Sequence, residues 1–146
     1  MEVVTSRFGK LHVAPSDLVH FPQRILGLRT CRQWCLLADA NSPVLGWLQS
    51  VENPEVALGV VSPRRFEPDY ALRVARRDLA DLELDNLQDA QVSVIVSRHV
   101  EGLAINLSAP IVINVEARRG CQVIAKDAWP VRKLLPQTSP SWRRTA

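Results

Sequence analysis

The stretch Gln91-Val92-Ser93-Val94-Ile95-Val96-Ser97 decides how the chain is read. Val92, Val94 and Val96 share one face, and Gln91, Ser93, Ile95 and Ser97 share the other. A period of two, carried by β-branched residues, is the signature of a strand and not of a helix. Outward from it the same grammar repeats in short pieces. Glu2 to Thr5 and Lys10 to Val13 read as strands around Phe8-Gly9. Trp34 to Ala38, Val44 to Val51 and Val56 to Val61 are apolar runs cut by Asn41, Pro43, Pro54 and Pro63. Leu103 to Leu107 and Ile111 to Glu116 flank Ser108-Ala109-Pro110, and Cys121 to Ala125 returns after Arg118-Arg119-Gly120. That tripeptide reads as a hairpin connection in which Gly120 supplies positive φ. Many short strands at close spacing predict a closed or nearly closed sheet.

Helix is scarce. Pro15 to Leu18 predicts a single turn, with proline at the first position. Leu79 and Leu82, flanked by Asp78, Asp81 and Glu83, predict a short amphipathic helix from Arg76 to Leu82. The fold class expected is mainly β: a small antiparallel β-barrel-like single domain with one or two short helices. The chain has 146 residues, enough to bury a core without disulfide or metal. The expected division is a barrel over residues 1–130 and a basic, Pro- and Ser-containing, flexible tail over 131–146.

Charge separates along the same line. The net charge is +3, from 18 Lys and Arg and 15 Asp and Glu. Arg132, Lys133, Arg143 and Arg144 all lie in the tail, which has no acid, so the body carries 14 basic and 15 acidic residues, a net −1. A body of that charge lacks the electrostatic footprint of phosphate binding, so no direct nucleic-acid contact is expected from it. No apolar run approaches the roughly 20 residues of a membrane span. No signal-peptide pattern opens the chain, and a cytoplasmic protein without membrane contact is expected.

No constellation for catalysis stands out. Cys31, Cys35 and Cys121 are odd in number and lack zinc-ligand spacing. Cys31 and Cys35 would point to one face of a strand over 31–37, as small buried apolar groups. His12, His20 and His99 are scattered, and there is no nucleophile elbow, phosphate loop or dinucleotide fingerprint. No cofactor and no metal are expected.

Three further stretches stand out in order: Trp47-Leu48-Gln49-Ser50-Val51 with Pro54 and Ala57; Phe66-Glu67-Pro68-Asp69-Tyr70; and Asn106-Leu107-Ser108-Ala109-Pro110-Ile111-Val112-Ile113-Asn114 with Gln122. Together with Thr5-Arg7-Phe8-Gly9, Phe21-Pro22 and Gly27, this ordered set resembles the FliW family of flagellar assembly factors, over about residues 3–130. The sequence departs from that family at Arg24 and Ile25, where Gly and Leu are usual, and at Leu28 and Leu58, where Phe is common. Ser62 precedes Pro63 where Asp is common.

The resemblance implies a binding protein and not an enzyme. It implies two protein partners: CsrA, a dimeric RNA-binding translational repressor that such proteins antagonise allosterically, and flagellin, which competes in a partner switch. A neutral-to-acidic body suits a basic partner. Gln49, Glu67, Asp69 and Asn106 are the candidate partner-binding residues. Each has a plainer reading: Trp47 as core with Gln49 beside it, Glu67 and Asp69 as solvated loop acids, and Asn106 and Asn114 as caps at a strand corner. Tyr70 is placed to tie its loop down through its hydroxyl. The competing readings are a small nucleic-acid-binding barrel using the basic tail and Trp142, and a small enzyme built from His99, Glu67 and Asp69.

Overall fold

A sheet rolls into a barrel when its last strand finds its first, and one long strand does that here. In the computed structural model, which describes residues 1–23 and 25–136, the strands are β1 (Glu2–Thr5), β2 (Gly9–His12), β3 (Leu18–His20), β4 (Gln33–Ala38), β5 (Leu45–Ser50), β6 (Ala57–Val61), β7 (Gln91–His99), β8 (Gly102–Ile105), β9 (Ile111–Asn114), β10 (Arg119–Gln122) and β11 (Lys133–Leu134). One short helix, α1, spans Arg76–Asp81, and single 3-10 turns lie at Pro15–Asp17, Pro63–Arg65 and Leu87–Asp89.

β7 is the closing strand. Its first residues pair with β9 (Gln91 with Ile113, Ser93 with Ile111), and its middle pairs with β6 (Val94 with Val61, Val96 with Gly59). The ring then runs β7-β6-β5-β4-β3-β10-β9 and returns to β7, a closed barrel of seven strands. From Val96, which also meets Gly59, the end of β7 pairs with β8 along its other edge, and β8 pairs with β11. All pairings are antiparallel except β3 with β10, which meet in parallel at His20 and Arg119. Closure removes the open edges that would otherwise invite aggregation.

The interior is filled by Val19, Phe21, Ile25, Cys31, Trp34, Leu48, Val60, Ile111 and Ile113. The Val face of β7 does not look inward: Val94 packs outside the barrel, while Ile95 packs against the interior cluster. The outer wall is apolar and covered in three places. The β1–β2 hairpin lays Val3, with Val13 just beyond β2, over Cys35. The end of α1 presses Leu82 onto Val112, Cys121 and Val123. Tyr70, Leu107, Leu135 and Trp129 cover Leu45, Trp47, Val61 and Val94. This double use of the wall explains why every residue of β9, and all but Gly46 of β5, is buried.

Several expectations change. Cys31 lies in the interior and Cys35 under the hairpin, because Cys31 precedes β4 and does not share its alternation. Both are buried and free, as is Cys121. Gly120 does not have positive φ; Arg118 takes the left-handed conformation in that hairpin, at φ 56°. Gly120 is required by space, since a Cβ there would lie 2.6 Å from the Phe21 ring.

The strand β3 was hidden by its brevity, and β11 by the prolines around it. Residues 131–135 therefore differ from the tail expected from composition: β11 pairs with β8, and Leu135 is buried. Residues 137–146, with Trp142, Arg143 and Arg144, lie outside the described residues, as does Arg24.

Candidate functional site

The four sequence-derived candidates lie in different settings. Gln49 faces outward from β5 yet is wholly buried beneath the chain that follows the strand. Its Nε2 donates to the carbonyls of Ser50, Pro54 and Val56 at 3.0, 3.3 and 3.1 Å. Pro54 also accepts from the Ser6 amide, 2.9 Å away, so Gln49 ties the β5–β6 loop to the sheet and the loop in turn holds the β1–β2 hairpin. This side chain supports a surface from beneath and does not form one.

Asn106 acts at a corner. Its Oδ1 accepts from the amides of Ser108 and Ala109, at 3.0 and 3.2 Å, which turns the chain between β8 and β9. Asn114 does the same at the far end of β9: Oδ1 accepts from the Ala117 amide, and Nδ2 donates to the Leu82 carbonyl, joining barrel to helix. Tyr70 is buried, and its hydroxyl donates to the Leu107 carbonyl at 2.8 Å. Burial pushes its phenol up to about 12.

Glu67 and Asp69 occupy the turn before Tyr70. Glu67 is half-buried and accepts from Lys133 Nζ at 2.8 Å, which anchors β11 to this loop. Asp69 is exposed. The two acids are thus divided, one committed within the chain and one open to solvent. His99 donates to or accepts from Ser97 at 2.7 Å on β7 and is not joined to Glu67 or Asp69 by any contact. The constellation required by the small-enzyme reading is not assembled.

A larger acidic surface lies elsewhere. Asp78, Asp81, Glu83, Asp85 and Asp89 fall within the twelve residues 78–89, after the Arg76-Arg77 pair that opens α1, with no basic residue between them. Glu83, Asp85 and Asp89 line one open hollow with Glu116 from the β9–β10 hairpin. Arg119 reaches the Asp81 carbonyl at 3.0 Å and Glu83 at 3.6 Å, fixing the turn against the barrel. Glu83 has positive φ, 58°, so the chain reverses sharply here. The run of acids is visible in the sequence, but its meeting with Glu116 depends on where α1 docks. Among the described residues no group of three or more His, Cys, Asp or Glu is arranged to hold a metal ion, and no helix is long and apolar enough to cross a membrane.

The third feature centres on Trp47. Its indole Nε1 donates to Asp39 Oδ1 at 2.9 Å, the Phe8 ring meets it edge-on at 5.8 Å, and the Arg7 guanidinium lies 4.4 Å over its ring. Asp39 Oδ2 accepts from the amides of Asn41 and Ser42. Burial acts to raise the Asp39 carboxyl, but the Trp47 bond, the two amides and Arg7 outweigh it and hold it below the usual range.

Comparison with known proteins places this geometry in context. The family model described as FliW protein matches residues 2–135, which takes in β11 and stops at Leu135. The flagellar assembly factor FliW of Moorella thermoacetica is 37% identical over 127 residues, spanning 85% of this chain and 80% of that protein. That of Bdellovibrio bacteriovorus is 34% identical over 129 residues, spanning 87% and 74%. A crystal structure of the flagellar assembly factor FliW superposes with a TM-score of 0.85 at 29% identity, covering 95% of this chain and all of the other.

Proposed function

The chain belongs to the FliW family of flagellar assembly factors, and from that premise we propose that it works in the cytoplasm as a protein-binding translational regulator, without enzymatic activity. It binds CsrA and antagonises that repressor allosterically, relieving repression of flagellin translation. It also binds flagellin, and the two complexes exclude one another. When unsecreted flagellin accumulates it occupies this protein, free CsrA rises and flagellin synthesis falls. Such a switch needs no chemistry at the barrel, only two affinities for one limited pool.

The observation that carries the reading beyond family membership is the acidic hollow formed by the loop after α1, with Glu83, Asp85 and Asp89, and by Glu116. A basic RNA-binding protein is steered to such a hollow, and the encounter speeds up as salt is lowered. Asp69, exposed on the loop before Tyr70, is the remaining candidate contact among the four residues singled out in the sequence. Gln49, Glu67 and Asn106 contribute by holding loops in place.

A gel-shift experiment tests the proposal. CsrA bound to a flagellin leader RNA should release the RNA when this protein is added, and the protein alone should not shift the RNA. Retention of the CsrA–RNA complex at saturating protein would refute the antagonism. A direct shift by the protein alone would favour the nucleic-acid-binding barrel instead.

A further inference from the structure

Ser97 and His99 are the last side chains on one face of β7, two residues apart along the strand. Ser97 Oγ lies 2.7 Å from His99 Nε2, and the serine is exposed to solvent. A hydroxyl held by an imidazole is the arrangement from which nucleophilic attack starts, because the ring can take the proton as the oxygen bonds to carbon. The tautomer with its proton on Nδ1 leaves Nε2 to accept from the hydroxyl. The backbone sets a further group beside the pair. The Ile95 carbonyl accepts from the Asn106 amide at 3.2 Å, so the odd-numbered residues of β7 bond towards β8 and the even-numbered ones face β6. The register with β6 ends where Val96 meets Gly59. The Arg98 N–H, next in the chain after Ser97, is therefore directed to that edge just past the last β6 pair. Neither Glu67 nor Asp69 contacts His99, so no carboxylate from that loop turns the dyad into a triad.

We propose that Ser97 is a site of covalent O-acylation by small activated acyl donors, an acyl phosphate or an acyl thioester. The Ser97 oxygen forms a bond to the donor's carbonyl carbon, and the carbon–oxygen bond to phosphate, or the carbon–sulfur bond to the thiol, breaks. The hydroxyl proton passes to His99 Nε2 and from there to the departing group. The Arg98 N–H donates to the carbonyl oxygen as negative charge builds on it. The donor class follows from the make-up of the pair. A dyad attacks carbonyls whose leaving group departs readily, whereas an amide needs the oriented base and the full set of donors of a triad site. The product is an ester that keeps the acyl group, so one transfer per chain is a modification and not turnover. The site shares no residue with the acidic hollow proposed for CsrA and stands independently of that reading.

The test is mass spectrometry of the whole protein after incubation with acetyl phosphate and, separately, with acetyl-coenzyme A. The expected result is one added acetyl group per chain, located on Ser97 ahead of the competing amines of Lys10, Lys126 and Lys133. Labelling by both donors supports the class as stated, and labelling by one of them supports the site and identifies its leaving group. Ser97→Ala should abolish the adduct. His99→Gln keeps a hydrogen-bonding side chain that cannot take the proton, and it should slow acetylation of Ser97 roughly tenfold or more. Both changes lie at the exposed end of β7, outside every core cluster, and circular dichroism checks that each variant retains the parent's fold. Acetyl groups confined to the lysines, no adduct with either donor, or a Ser97 adduct formed at the parent's rate in a folded His99→Gln protein would each overturn the proposal.

Discussion

Replacing Gly120 by alanine should destabilise the barrel through a single contact. The added Cβ would stand 2.6 Å from Cε1 and Cζ of Phe21 and 3.2 Å from Cε2. Phe21 has no room to yield: it is fully buried in the barrel interior and packs against Trp34 with ring centroids 6.2 Å apart. Overpacking of this kind costs about 1–3 kcal/mol. Alanine reduces the freedom of the unfolded chain and returns about 0.4–1 kcal/mol. The net expectation is a loss of about 1–2 kcal/mol, which lowers Tm by roughly 3–8 °C for a domain of this size.

Urea unfolding followed by tryptophan fluorescence measures it. Phe21→Leu should be destabilising alone, yet it should lessen the penalty of Gly120→Ala, giving a favourable coupling of about 0.5 kcal/mol or more in the double-mutant cycle. Asparagine separates space from φ: if positive φ were the requirement, Gly120→Asn would be milder than Gly120→Ala, and the Phe21 contact predicts the reverse. A Gly120→Ala protein as stable as the parent, or one whose loss is untouched by Phe21→Leu, would refute the reasoning.

Other outcomes follow from the same structure. Gln49→Glu removes a donor shared by three carbonyls and buries a carboxylate among them, so it should cost about 3–5 kcal/mol at neutral pH in urea unfolding, whereas a surface residue would cost almost nothing. Leu135→Ala should cost about 2–4 kcal/mol, because Leu135 is buried against the outer wall, and thermal unfolding would read it. Tyr70→Phe leaves the Leu107 carbonyl without its donor and should cost about 1–2 kcal/mol. Stability should also fall in alkali. Burial raises the folded-state values of Tyr70, from 10.0, and Cys121, from 9.0, to about 12 each. The unfolded chain therefore releases these protons first, and the contribution is complete below pH 9 and is lost as pH rises towards 12. Chemical unfolding at pH 8, 10 and 11 measures that slope, and Tyr70→Phe should flatten it.

Local pattern carried much of this fold and little of its closure. The alternation in Gln91–Ser97 fixed β7 as a strand, and the prolines and the Leu79–Leu82 spacing set most other boundaries. Period two does not say which face is the inside, and here both faces of the wall are buried, so Val94 packs outward and Ile95 inward. The closure of β9 on β7 is a pairing between distant segments, which local spacing cannot encode. Gly120 shows the same limit: in the sequence it is a turn glycine, and only the approach of Phe21, a hundred residues earlier, reveals why a side chain is forbidden. Asn106 was legible because its bonds act within the corner that its own motif forms, while Tyr70 could be read as a tie, but without its partner, Leu107, which stands in another motif 37 residues on. Glu67 was not legible, because the partner that occupies it, Lys133, arrives from 66 residues away, whereas Gln49 is held by carbonyls of its own loop, Ser50, Pro54 and Val56. The acidic face was half legible: the run from Asp78 to Asp89 stands in the sequence, and Glu116 joins it only through the docking of α1.

The measurement that tests the central claim most directly is a calorimetric titration of the protein with its own CsrA, repeated with flagellin present. The account predicts a saturable complex that flagellin abolishes, weakened when Asp81, Glu83 and Asp85 are neutralised. Unchanged CsrA binding at saturating flagellin would contradict the switch, and binding to neither partner would contradict the account as a whole.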